Sequence, residues 1–281
     1  MAMYRSELIG VFGFPVDENP TVVMQEAAFK ALHMNWRYLN FEINPGELKK
    51  AIEAAITFGM KGFNLTIPHK TDIIPFLDEM SPDARLIGAV NTVKVVEGKL
   101  YGENTDGKGF VRALGEEGIS LKEKRIQLLG AGGAARAIAV EAALAGASHI
   151  HIVNRDGEKG QDLTNHISEN TPATADFRGW YGPVEVRDEV DILVNATSIG
   201  LYPHVSEKPD LDYDGIKPGM VVCDVIPNPP DTMFLAEAKK RGATALDGLG
   251  MLVYQGAIGF EYWTGQQAPI EVMKAAMRGA F

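Results

Sequence analysis

The stretch Arg125-Ile126-Gln127-Leu128-Leu129-Gly130-Ala131-Gly132-Gly133-Ala134-Ala135 decides the fold. An apolar run of strand length feeds directly into glycines spaced Gly-x-Gly-x-x-Ala, and an alanine-rich run of helical length follows. Gly130 permits the tight turn and Gly132 lets a pyrophosphate approach the backbone. Ala135 lets the helix lie close, and the N–H groups that open it, at Gly133 and Ala134, face the phosphates. A glycine turn alone is a weak signal. Here a second apolar strand, His149 to Val153, supplies the strand–helix–strand context that dinucleotide binding requires. The stretch therefore predicts a Rossmann-type, doubly wound dinucleotide-binding domain.

The residues after that second strand bear on the cofactor. Asn154-Arg155-Asp156 stands where an NAD-binding fold places an acid for the ribose hydroxyls. Arg155 pairs with a 2′-phosphate and stacks on adenine, and Lys159 is near enough to assist. Asp156 suits a ribose hydroxyl instead. The expectation is NADP, with NAD left open. Further on, Asp191 to Thr197 and Met220 to Val225 read as two more strands. The Ala196-Thr197-Ser198 turn lies at a strand C-terminus, where open α/β sheets bind ligands. Between Gln161 and Asp188 the patterning is weak.

Upstream, Leu8 to Phe12 reads as a buried strand, Asn19-Pro20-Thr21 as a helix entrance, and Trp36 to Ile43 as a strand. A helix opened by Asn44-Pro45 follows, then a strand from Phe63 to Ile67. That order implies a second, mainly parallel open α/β domain. Asp72 to Met80 reads as a short helix, Gly88 to Val96 as β-rich, Glu97-Gly98-Lys99 as a hairpin turn, and Thr105 to Glu117 as a helix. The last long helix, Gly248 to Trp263, is too apolar for an outer position, so the C-terminal helices are expected to pack back on the first domain. The domain reading is 1–106 completed by 247–281 for the substrate domain, and 107–246 for the dinucleotide domain.

Composition sets the outer bounds. The 281 residues are 46% hydrophobic and 23% charged, as in ordinary globular proteins, and 27 Lys+Arg against 37 Asp+Glu give a net charge of −10. That balance argues against nonspecific nucleic-acid binding. No run has transmembrane length and the N-terminus lacks a signal-peptide pattern, so a cytoplasmic protein without membrane partners is expected. The single cysteine, Cys223, falls in an apolar strand-like run and reads as a buried structural thiol. His, Cys, Asp and Glu show no metal-ligand spacing, so no metal is expected.

Lys70 follows the Phe63 to Ile67 strand across Pro68, at the strand tip. A lysine there serves either as a proton donor beside a cleft or as a solvated charge. Asp106 stands at a helix start, where a cap or first-turn acid is the structural alternative to a catalytic one. Gln255 is an amide in an apolar helix that needs a partner, either a polyol or a packed protein group.

Read together, Gly62 to Lys70, Gly88 to Thr92, Asn104 to Gly107, Gly130 to Ala135, Asn154-Arg155, Asn195 to Ser198, Asp224 to Pro229 and Gly248 to Ala257 resemble the shikimate dehydrogenases along nearly the whole chain. The resemblance implies reversible NADP-linked reduction of 3-dehydroshikimate to shikimate, part of aromatic amino-acid biosynthesis. It implies Lys70 and Asp106 as the catalytic pair. It assigns Asn91, Asp106, Gln255 and Thr66 to a hydroxylated ring substrate, and Gly248 and Met251 to the cofactor site beside the glycine turn, Arg155, Thr197 and Ser198. The expected assembly is a monomer or homodimer. A non-catalytic sensor with this fold is the alternative of another class.

The chain departs from the family pattern at one end of the substrate. Where many members carry Ser-x-Ser-Pro, the loop is Gly13-Phe14-Pro15-Val16-Asp17-Glu18-Asn19-Pro20-Thr21, and Pro227 stands where they carry a tyrosine. Those family residues hold the shikimate carboxylate. Asn19 and Thr21 remain as donors, while Asp17 and Glu18 would repel an anion. Quinate, an aminoshikimate or a cyclic polyol without a carboxylate is accordingly an alternative substrate.

Overall fold

The computed structural model describes residues 4–280; residues 1–3 and 281, which the expected domain ranges include, lie outside the described residues. The chain divides into two compact units. One runs to Thr105 and is completed by Val253–Ala280, and the other is Asp106–Leu252.

The first unit follows the order β1 (Glu7–Gly13), α1 (Thr21–Ala31), β2 (Trp36–Glu42), α2 (Leu48–Phe58), β3 (Gly62–Leu65), α3 (His69–Asp72), β4 (Glu79–Met80), α4 (Pro82–Ile87), β5 (Thr92–Val96) and β6 (Lys99–Glu103). Its sheet has the order β2-β1-β3-β5-β6-β4. β1 pairs in parallel with β2 and β3, whereas β5 runs antiparallel to β3 and β6. β1 from Ile9 and β3 are buried because both flanks of each are paired and their faces are covered, and the one polar side chain among them, Asn64, is hydrogen-bonded. The core stacks Phe12 on Phe63, ring centroids 4.4 Å apart, with Leu48, Ile52 and Ala55 of α2 against them.

Two readings of this region need correction. The expected helix from Asp72 to Met80 is instead the end of α3, a 3₁₀ turn at Ile74–Phe76 and the edge strand β4. Pro75 lacks the N–H a longer helix needs, and Asp78 turns its carboxylate to accept the Leu100 N–H at 2.8 Å. The β-rich run from Gly88 narrows to β5, since Gly88 is the left-handed C-cap of α4.

The second unit contains α5 (Asp106–Glu116), β7 (Arg125–Leu129), α6 (Gly133–Leu144), β8 (His149–Asn154), α7 (Gly157–Asn170), β9 (Thr174–Gly179), β10 (Val184–Glu185), β11 (Ile192–Asn195), β12 (Leu211–Asp212), β13 (Val221–Asp224), α8 (Met233–Lys240) and β14 (Thr244–Leu246). The main sheet, β14-β13-β11-β7-β8-β9, is parallel throughout, and the strand order reverses between β7 and β11. This is the doubly wound arrangement, with its switch point beside the glycine turn. α7 and β9 occupy the stretch whose pattern is weak. β9 is a half-buried edge strand carrying Asp176 and Arg178, so it lacks an apolar alternation.

At the end of β13, Asp224 is 2% exposed. It accepts hydrogen bonds from Asn195 Nδ2 at 3.1 Å, Thr232 Oγ1 at 2.8 Å and the Ile226 N–H at 3.1 Å. Burial outweighs these bonds and pushes its carboxyl up to about 6 from 3.8. A carboxyl raised in the folded state costs stability as pH climbs from about 4 through 6, on the order of 3 kcal/mol. Asp224→Asn removes the titration while keeping the shape. Urea unfolding across that window should give a flatter stability profile for the variant than for the wild type; parallel profiles would refute the assignment. Cys223, next in the strand, is also buried, and its thiol is pushed up by desolvation.

α9 (Gly248–Thr264) and α10 (Ile270–Arg278) close the chain. From Val253 onward they belong to the first unit. Trp263 Nε1 donates to the Val93 carbonyl at 2.9 Å, Gln25 Nε2 donates to that of Gly256 at 2.8 Å, and α10 lies against α1 with Met273 and Met277 buried. Among the described residues no helix is long and apolar enough to cross a membrane.

Candidate active site

Lys70 lies in the single turn α3, half-buried, and Thr66, Ile67 and Pro68 connect that turn to the end of β3. The turn is fixed from below. His69 is fully buried and its Nε2 donates to the Ile43 carbonyl at 2.8 Å. The Lys70 carbonyl accepts the Val90 N–H at 2.8 Å, which seats the lysine's backbone beside the segment that carries Asn91.

Asn91 and Gln255 belong to one buried polar chain within the first unit. Asn91 Nδ2 donates to Thr105 Oγ1 at 3.0 Å, and the Thr105 N–H donates to Asn91 Oδ1 at 2.8 Å. Thr105 Oγ1 in turn approaches Gln255 Oε1 at 3.5 Å. Behind Asn91, Thr92 Oγ1 accepts from Asn64 Nδ2 at 2.9 Å, and Asn64 Oδ1 accepts from the Tyr38 hydroxyl at 2.7 Å. Burial raises the Tyr38 phenol well above its ordinary range, so it stays a donor. A chain of amides and hydroxyls linked in this way holds its members in fixed orientations. Thr105, Thr92, Asn64 and Tyr38 orient Asn91 and Gln255, an arrangement the sequence does not display. Asn64, Thr92 and Thr105 lie inside the motifs that carry the resemblance, but the Asn64–Thr92 and Asn91–Thr105 pairings join separate stretches of the chain.

Asp106 follows Thr105 directly and opens α5 in the second unit. Gly107 is buried next to it, and a Cβ there would stand 2.3 Å from the Ala137 carbonyl oxygen, so α5 and α6 meet backbone to backbone.

The glycine turn fits a dinucleotide. Gly130 has φ +109°, a conformation that favours glycine, and a Cβ on it would press on Ala196 O at 3.0 Å and Thr197 Cγ2 at 3.2 Å across the switch point. Gly132 and Gly133 face open space, and no side chain caps the N-terminus of α6, where Ala134 and Ala135 follow. Those N–H groups are the donors a pyrophosphate would take. Thr197 is held in place, its N–H and Oγ1 both donating to Asn195 Oδ1 at 3.2 and 2.7 Å, while Ser198 is exposed beside it.

Beyond β8, Asp156 caps α7. It accepts the Lys159 N–H at 3.1 Å and faces Lys159 Nζ at 3.6 Å, and Asn154 Nδ2 donates to its carbonyl at 2.8 Å. The Lys159 amide draws its carboxyl below the usual range. With the carboxylate engaged in capping, Arg155 is the exposed charge that follows the strand. Gly248 and Met251 have packing roles in the second unit. A Cβ on Gly248 would meet Ile226 O at 2.4 Å, and Met251 lines a 20 Å³ cavity with Phe110, Leu114, Cys223 and Asp224 among others.

The atypical loop lies in the first unit. Asn19 Oδ1 accepts the Thr21 N–H at 3.0 Å, which ties these two residues to the start of α1. Thr66, half-buried, lines a cavity of about 460 Å³ together with Pro15, Val16, Asp17, Glu18 and Asn19. Pro227 is half-buried in the irregular segment after β13.

A doubly wound unit shaped for a dinucleotide, joined to an α/β unit bearing a lysine and an oriented amide chain, places the protein among the two-domain nicotinamide-dependent oxidoreductases. Family models match in three places: the shikimate dehydrogenase substrate-binding domain over residues 11–93, shikimate/quinate 5-dehydrogenase over 113–204 and the shikimate 5′-dehydrogenase C-terminal domain over 248–278. The chain belongs to the shikimate dehydrogenase family. It is 45% identical to a shikimate dehydrogenase (NADP+) of Desulforamulus reducens, over 96% of this chain and 94% of that one. A 5-ketofructose reductase of Gluconobacter sp. strain CHM43, solved in ligand-free form, is 46% identical, with a TM-score of 0.95 over 99% of this chain and 100% of the other. The shikimate 5-dehydrogenase of Thermus thermophilus, solved with NADP(H) and shikimate, is 34% identical, with a TM-score of 0.88 over 98% of this chain and 100% of the other.

Proposed function

We propose that the chain is an NADP(H)-linked oxidoreductase that interconverts a ketone and a secondary alcohol on a polyhydroxylated substrate, the 3-dehydroshikimate–shikimate pair being the first candidate. The observation that carries this reading is Lys70, fixed by its own carbonyl beside the Asn91 segment. When bound, the nicotinamide supplies the hydride. Reduction of a ketone puts negative charge on its oxygen, and the Lys70 ammonium stabilises that charge and donates the proton; in oxidation the neutral amine takes it back. Asp106 accepts a hydrogen bond from a substrate hydroxyl and so orients the substrate. Asn91 and Gln255, oriented through Thr105, bind ring hydroxyls. The glycine turn at Gly130 to Ala135 holds the pyrophosphate. Arg155, assisted by Lys159, holds the 2′-phosphate, which favours NADP over NAD.

Purified protein mixed with shikimate and NADP+ should generate NADPH absorbance, and NAD+ should support a slower rate. Absence of turnover across a panel of shikimate, quinate and uncharged polyols with either cofactor would leave the non-catalytic sensor as the better reading. A second substrate reading is favoured by Asp17 and Glu18 on the cavity beside Thr66. The 46% identical relative is named for reducing 5-ketofructose, a substrate without a carboxylate. On this second reading the same machinery reduces an uncharged polyhydroxylated ketone.

A further inference from the structure

Resting on the oxidoreductase reading, we infer that the turn Val16 to Asn19 is an anion-excluding rim that makes uncharged polyhydroxylated ketones, rather than carboxylate-bearing ones, the preferred substrates. The turn is built to hold its place. The Asn19 N–H closes it on the Val16 carbonyl at 3.0 Å. Asn40 Nδ2 braces both ends, donating to the carbonyls of Val16 and Asn19 at 3.1 Å each. The Phe14 N–H donates to the Ile67 carbonyl at 2.9 Å, and Gly13 packs so closely on Thr66 that a Cβ would stand 2.3 Å from its methyl carbon. The turn is thereby fixed against the segment that leads, four residues after Thr66, to Lys70.

Asp17 and Glu18 occupy the two corners, both exposed. The cavity they line is large enough for a small polyol. Among the described residues its lining carries two carboxylates, one amide, one hydroxyl and no cation. Asn19 has its side-chain oxygen bonded to the Thr21 N–H and its carbonyl to Asn40, which holds its side chain in the turn. A substrate carboxylate entering this space meets like charge with no cation in that lining to offset it, only the Asn19 amide and the Thr66 hydroxyl as neutral donors. A hydroxyl meets acceptors instead, since an ionised carboxylate accepts O–H hydrogen bonds. The same two residues therefore repel one class of substrate and bind the other.

The test compares initial rates of NADPH oxidation with 3-dehydroshikimate, 5-ketofructose and an inosose, for the wild type and for D17N/E18Q. In the wild type an uncharged ketone should have the highest kcat/KM of the three. In the double variant that substrate should lose efficiency and 3-dehydroshikimate gain it, chiefly through KM. The ratio between them should shift by roughly a hundredfold, the product of about tenfold from each charge. Wild-type kcat/KM for 3-dehydroshikimate should also rise with ionic strength, because the repulsion is screened, while that for the neutral ketone stays flat. Two results overturn the inference alone: 3-dehydroshikimate as the best wild-type substrate, or a ratio that the double variant leaves unmoved. Absence of turnover with every substrate and either cofactor overturns the oxidoreductase reading with it.

Discussion

Lys70→Ala is expected to lower kcat by about a thousandfold or more while changing KM only a few-fold. On the proposed mechanism the change removes both the proton source and the positive charge from the oxygen on which negative charge develops. Those interactions are made in the transition state far more than in the ground state, so the loss falls on kcat. The variant should fold, because the contacts that fix α3 are made by the Lys70 carbonyl and by the His69 ring, which the substitution leaves in place. Lys70→Arg separates the two contributions. It keeps a charge but holds its proton too tightly to donate it at neutral pH, so it should remain strongly impaired. A Lys70→Ala enzyme with the wild-type rate would show that the proton comes from elsewhere.

Gly107→Ala is expected to destabilise the second unit by about 2–3 kcal/mol, the cost of overpacking where backbone must yield. The added Cβ would lie 2.3 Å from Ala137 O and 2.5 Å from Glu141 Cγ. The first of these atoms is helix backbone and cannot swing aside. Relief requires α5 to move away from α6, and Asp106 at its first position moves with it, so activity should fall along with the denaturation midpoint. Gly115→Ala is the control on the same helix. Nothing lies within 4 Å of its added carbon, and the gain in helix propensity should stabilise by up to about 1 kcal/mol. Equal effects at the two glycines would contradict the close approach of α5 and α6.

The parts of the molecule legible in the sequence are those whose physics is local. The glycine turn announces itself because a strand, a forced backbone conformation and a helix start are adjacent in the chain, and the parallel sheet around β7 follows from them. Lys70 and Asp106 are visible as charged groups at element ends, and their proposed roles come from the resemblance. The misread stretch from Asp72 to Met80 has helical apolar spacing, yet Pro75 and a two-residue edge strand determine its course. The Tyr38–Asn64–Thr92–Asn91–Thr105–Gln255 chain is invisible to periodicity, because its links run between different elements. The loop at Asp17 and Glu18 shows the converse. Its departure from the family pattern is plain in the sequence, but only the structure shows that both acids border one cavity with Thr66.

The division of α9 between the two units carries a consequence for how the protein is made. The second unit is one continuous segment, Asp106–Leu252, whereas the first is assembled from two segments separated by it. Contacts that complete the first unit span 170 residues from Val93 to Trp263 and 231 from Gln25 to Gly256. On a ribosome, the nucleotide-binding half has its whole sequence while the earlier-made half still waits for the rest of α9 and for α10. The part translated first is therefore finished last. Until then the carbonyl of Val93 and the face of α1 that α10 covers stay open to water and to other chains, a window in which a chaperone or a slow codon near the 3′ end would matter more than one near the start.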